Sequence, residues 1–217
     1  MQILRPFWLV ALLLPAMIFC GAPPAVALQS YFINNEVKAD NIDMFPKWMD
    51  MIARYNAESH PLDSICGQER YSTCKLKEWK DFVEGLRGQR RLDQMDQINR
   101  FVNRYPYIED IVNWGVEDYW ATVYEFQRKS GDCEDYAIAK FMSLRALGVP
   151  NDDMRIEVVQ DLNLGGILHA ILIVFVGDQV YVLDNQIKQV ILAVDIYHYK
   201  PIYSINEAHW WRHIMIQ

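Results

Sequence analysis

Along the first two thirds of the chain apolar residues recur every three or four positions, and along the last third they alternate or run together. That change of period predicts helices followed by strands. From Asn41 to about Phe126, Phe45, Trp48, Met49 and Ile52 form one stripe, while Phe101, Val102 and Tyr105 end another. Pro61 and Gly88 break the segment. The stretch GDCEDYAIAKFMSLRALG, from Gly131 to Gly148, carries the pattern on: Tyr136, Ala137, Phe141, Leu144 and Leu147 share a face, with Cys133 at its start. Asp132 reads as the N-cap, Asp135 as its capping-box partner, and Gly148 with Pro150 as the stop. Most rings of YIEDIVNWGVEDYWATVYEF read as core, with Trp114 or Trp120 as a candidate cleft wall.

Beyond Pro150 the signals are those of strands. Met154 to Gln160 alternates, Ile167 to Val176 is almost wholly apolar, and Val180 to Leu183 is β-branched and aromatic. Gly177-Asp178 suits a two-residue hairpin loop, which pairs Val176 with Gln179 and places Asp184 opposite Ile171. His169 and Ile171 share a face, so His169 and Asp184 become diagonal neighbours. A loop of odd length would turn Asp184 to the other face. The predicted class is α+β, with a helical part over about 41–148 and an antiparallel sheet over about 152–217.

Residues 1–27 have Arg5 in a short leading region, an apolar run from Phe7 to Cys20, and Ala25-Val26-Ala27 as a cleavage pattern. This is the form of a secretory signal peptide. The run is short for a membrane span and Pro15 interrupts it, which leaves an uncleaved anchor as the weaker alternative. Bulky Phe19 stands where a lipobox carries a small residue, so Cys20 is expected to leave with the leader. Residues 28–217 suffice for a single domain. A hydrophobic content of 52% with seven tryptophans excludes disorder, and a formal charge of −7 without a basic run argues against a nucleic-acid partner.

Three cysteines then remain. Cys66 and Cys74 are a candidate disulfide worth ~2 to 3 kcal/mol in an oxidising compartment, and they lack neighbours for a zinc site. Cys133 is left over, either as a small buried apolar residue or as a reactive thiol. A helix start favours thiolate, whereas Asp132, Glu134 and Asp135 oppose it. A bound cation would offset those acids, and Ca2+ prefers carboxylate oxygens. Capping and dipole compensation is the other reading of the same acids. Of the five histidines, His60, His198, His209 and His213 have no acid placed by the pattern, and His169 has Asp184. Cys133, His169 and Asp184 thus form a nucleophile, base and orienter for acyl transfer, with the Cys133 N–H as one oxyanion donor.

GDCEDYAIAKF, the His169 strand, LDN at 183–185 and WGVEDYWAT at 114–122 together resemble the bacterial transglutaminase-like cysteine proteases over most of residues 28–217. The resemblance implies a papain-like, transglutaminase-type core with Cys133, His169 and Asp184 catalytic and Asp132 and Glu134 binding calcium. It implies a periplasmic protease that cuts the N-terminal region of a large surface adhesin near a di-alanine site, releasing cells from a biofilm. A LapD-like inner-membrane receptor for cyclic di-GMP is the implied regulatory partner. Val123 departs from the family pattern, in which proline often follows WAT. A transglutaminase or a peptidoglycan amidase would use the same triad. A non-catalytic calcium or peptide-binding module is the remaining alternative, and a thiol beside a histidine argues against it.

Overall fold

The computed structural model describes residues 35–57 and 72–214. The leader, His60, Pro61, Cys66 and the side chain of Cys74 lie outside the described residues, and with them the proposed disulfide. A short strand β1 (Asn35–Ala39) precedes six helices: α1 (Pro46–Ala57), α2 (Ser72–Gly85), α3 (Arg91–Val102), α4 (Asp110–Asn113), α5 (Val123–Lys129) and α6 (Cys133–Ala146). Six strands follow: β2 (Met154–Asp161), β3 (Ile167–Val176), β4 (Gln179–Leu183), β5 (Ile191–Leu192), β6 (Tyr199–Ile205) and β7 (Trp210–Ile214). They form an antiparallel sheet in the order β1-β7-β6-β2-β3-β4-β5. The helices-then-sheet reading holds, with β1 added at the sheet edge, where Asn35 lies opposite Ile214. No helix among the described residues is long and apolar enough to cross a membrane.

Helix α6 is the axis of the core. The sequence pattern marks one apolar stripe, yet every residue from Asp135 to Leu144 is buried. Helices cover one side of α6 and the sheet covers the other, so even Lys140 is enclosed. Trp48 meets Phe141 edge-on at 5.6 Å, and the Trp79 indole N–H donates to Ser143 Oγ at 2.8 Å. The helix stops as predicted: Gly148 takes φ +83°, while Val149 N–H reaches Leu144 O and Gly148 N–H reaches Arg145 O. That is a Schellman ending, which needs a residue free to adopt positive φ. In α1 the buried pair is Trp48 and Met51, and Met49 of the predicted stripe faces solvent.

β2 does not alternate between buried and exposed, because both of its faces are covered. Met154 and Ile156 join the helical core, and Val159 packs on the opposite face with Ile171, Ile173, Val180 and Val182. The β3–β4 hairpin has the predicted register: Val176 is opposite Gln179 and Leu172 opposite Leu183.

Candidate active site

The chain enters α6 through a strained link. Ser130 ends α5 at φ 66°, ψ −164°, a region that is almost exclusively glycine's and costs about 1–3 kcal/mol for other residues. Gly131 follows, its carbonyl accepting from Ile108 N–H at 2.9 Å. A β-carbon at Gly131 would lie 2.6 Å from Asp135 Cβ and 2.7 Å from its Cγ. Gly131→Ala is therefore expected to destabilise the protein by about 1–3 kcal/mol, visible as a lowered melting temperature. A melt unchanged within error would show that Asp135 can move aside freely.

The capping box read at Asp132 and Asp135 is found one helix earlier. Thr122 and Glu125 exchange side-chain bonds with each other's N–H at the start of α5, at 3.2 and 2.8 Å. Val123 is the first residue of that helix, the position best suited to proline, so the departure from the family pattern leaves the backbone path intact. Asp132 stands at the N-cap of α6; its carbonyl accepts the Tyr136 N–H, but its side chain makes no cap bond. Asp135, fully buried, turns away to accept Ala121 N–H at 2.7 Å.

His169 and Asp184 meet as the register requires. His169 Nε2 donates to Asp184 Oδ1 at 2.9 Å, and Gln186 N–H donates to the same oxygen at 2.9 Å. The other carboxylate oxygen accepts from the Tyr199 hydroxyl at 2.6 Å. Burial opposes ionisation of Asp184, but the His169, Tyr199 and Gln186 donors outweigh it and hold the carboxyl below its usual range. With Nε2 committed to Asp184, Nδ1 is the nitrogen left to face a reacting group. Cys133 is brought to that neighbourhood by packing of α6 on β3, where the backbone of Ala170, the residue after His169, favours its thiolate.

The thiol itself is held in its protonated form. Burial pushes it well above its ordinary value, and the charge of Glu134 adds to the shift. Cys133 Sγ donates to Glu134 Oε2 at 3.2 Å. Burial first, and the flanking acids second, outweigh the helix start.

Those acids form a cluster that includes a residue absent from the sequence reading. Oxygens of Asp110, Asp132 and Glu134 lie within 4.8 Å of one another. Burial raises Asp110 to about 6 and Asp132 to about 8, the latter also through Glu134; Glu134 is raised too, chiefly by burial. Asp110 Oδ1 and Asp132 Oδ1 are buried without a hydrogen-bond partner. Three crowded carboxylates with unpaired oxygens suit a hard cation such as Ca2+. Asp110 reaches the cluster through the Tyr107–Gly131 bridge, which draws the loop before α4 against the start of α6.

Other predictions fare differently. Trp120 is core, edge-on to Trp48, and Trp114 lies half-buried beneath Lys129. His213 does have an acid: its Nε2 is 2.8 Å from Glu157 Oε1, both buried. His209 Nδ1 lies 3.0 Å from Asp40. Neither pair includes a residue next to Cys133 in sequence.

Residues 57–217 match the family profile described as bacterial transglutaminase-like cysteine proteinase, BTLCP. Among solved structures the chain is similar to calcium-bound Legionella pneumophila LapG, with 28% identity and a TM-score of 0.61 over 67% of this chain and 81% of that one. The EGTA-treated form of the same Legionella protein gives 28% identity and a TM-score of 0.62 over 68% and 81%. No protein of curated function matches the sequence.

Proposed function

The chain belongs to the bacterial transglutaminase-like cysteine proteinases, and on that premise we propose that it is a calcium-dependent periplasmic endopeptidase acting on the N-terminal region of a large surface adhesin. One observation carries the catalytic part: Asp184 holds His169 by Nε2 on β3, the strand against which the helix that begins at Cys133 packs. Cys133 Sγ gives its proton to His169 Nδ1 and attacks the peptide carbonyl. The Cys133 N–H, unpaired at the helix start, donates to the oxyanion. His169 passes the proton to the leaving amine and then draws one from the water that hydrolyses the thioester, with Asp184 fixing the ring throughout.

Asp110, Asp132 and Glu134 would hold the cation. Bound there, Ca2+ supplies positive charge that neutralises the acids and favours thiolate. Similarity to a LapG solved with calcium supports this assignment. An extended peptide also fits the sheet. β4 pairs with β3 from Leu172 onward, so the stretch Ile167–Ile171 has no partner strand on that side among the described residues. Ile167 and Leu168 stand exposed there, beside His169. Strand addition would align a substrate main chain with the thiol. The leader pattern supports export, and the same family membership supports a LapD-like cyclic di-GMP receptor as partner.

The test is incubation of the protein with a purified adhesin N-terminal fragment, with calcium and with a chelator. One new N-terminus that appears with calcium and vanishes on chelation is expected. An intact fragment in the presence of calcium, together with ammonia release from glutamine peptides or amide cleavage in peptidoglycan fragments, would overturn the adhesin reading in favour of the transglutaminase or amidase.

A further inference from the structure

We propose that Tyr199 is a positioning residue of this site, its hydroxyl holding one oxygen of Asp184 so that the other alone orients His169; the inference rests on the catalytic reading above. Tyr199 opens β6, opposite Asp161 of β2, and Val159 of the same strand lies opposite His169. The two side chains therefore reach Asp184 from the strands on either side of β2. The phenol is 5% exposed, its hydroxyl lies 2.6 Å from Asp184 Oδ2, and its ring is centred 5.7 Å from that of His169. A carboxylate offers four acceptor directions on two oxygens. In Asp184 one oxygen serves His169 and Gln186 and the other serves Tyr199, so the carboxylate cannot rotate without breaking a buried bond. Such a bond to a charged acceptor is strong, and leaving either partner unpaired in the interior is unfavourable.

The arrangement also divides the charge of Asp184 among three donors. Burial, followed by the charge of Asp184, raises the Tyr199 phenol far out of reach, so it remains a donor wherever the protein is folded. Other titratable groups face the pair. Lys140 comes from α6, fully enclosed and within electrostatic range of Asp184; Asp161 and Cys133 act on Tyr199, and the His198 ring is centred 4.3 Å from it, tilted by 59°. None of them is altered by Tyr199→Phe, which removes the hydroxyl and keeps the ring.

Iodoacetamide alkylation of Cys133, followed across pH by peptide mass spectrometry on the full chain with calcium, reads the thiol–imidazole pair without a substrate. In Tyr199→Phe the Asp184 charge is shared by His169 and the Gln186 N–H alone, and the alkaline limb of the profile is expected to move up by about one pH unit. Peptide cleavage should fall about tenfold in kcat with KM within twofold. Site-specific 3-fluorotyrosine at 199, a stronger donor of nearly the same size, should move the limb the other way, a measurement that stands even where Tyr199→Phe fails to fold. In an Asp184→Asn background Tyr199→Phe should change nothing further. An unmoved limb in both the Phe and fluorotyrosine proteins overturns the proposal. A His169→Ala profile identical to the unmodified one would instead overturn the catalytic reading on which it rests.

Discussion

Cys133→Ala is expected to lower peptide cleavage by about 10⁴-fold or more while the protein stays folded. The size follows from the role: no other thiol lies among the described residues with defined side chains. Folding should survive because the side chain is small, half-buried and at the edge of the core, so its loss removes about 1 kcal/mol of apolar contact. Serine is no rescue in this environment. A hydroxyl beside Glu134 is a far weaker acid than a thiol, and the same burial acts on it. Cleavage rate and thermal melt together check the expectation, and an alanine protein retaining more than about a hundredth of the rate would remove Cys133 from the nucleophile's role.

Calcium should have the second large effect, and its pH dependence has a definite sign. Asp110, raised to about 6, and Asp132, raised to about 8, bind protons more tightly folded than unfolded, as Glu134 does. Without metal, stability is therefore expected to fall as pH rises from about 4 to about 8, because ionising these acids in the folded protein forces like charges together. Asp184 runs the other way. Its depressed carboxyl contributes stability above the unfolded value that is lost as pH falls through the folded one. Calcium at a hundredfold excess over its dissociation constant would add about 2.7 kcal/mol. That corresponds to about 5 to 10 °C in melting temperature at pH 7 to 8, with little gain near pH 5. Asp132→Asn with Glu134→Gln should abolish the gain. Superimposable melts with calcium and with chelator at pH 8 would remove calcium from these acids.

What the sequence revealed about the site follows the distance over which each contact is made. The His169–Asp184 pair was legible because a two-residue loop fixes hairpin register, and register fixes which side chains share a face. Cys133 was legible because helix starts carry local signals. Asp110 was not: nothing in its own neighbourhood announces a ligand, and only the Tyr107–Gly131 bridge brings it to Asp132 and Glu134. Asp135 was misplaced for the opposite reason. Its spacing satisfied a local capping rule, but a tertiary partner, the Ala121 N–H, outcompeted the helix. The Glu157–His213 pair joins strands that are not adjacent in sequence or in the sheet, beyond the reach of any period. Tyr199 was hidden similarly, as one of several aromatic residues in a strand whose register depends on β2.

The pairing of β1 with β7 has a consequence for how the molecule assembles. Asn35 lies opposite Ile214, so this edge closes a loop of nearly the entire described chain, among the slowest kinds of contact to form. Cys133, His169 and Asp184, by contrast, fall within one helix and the strands that follow it. The order of loop lengths therefore lets the reactive cluster assemble early and leaves the terminal strands to zip last. Fraying of the outer edge and separation of Cys133, His169 and Asp184 are thereby separate events, at opposite ends of the folding order.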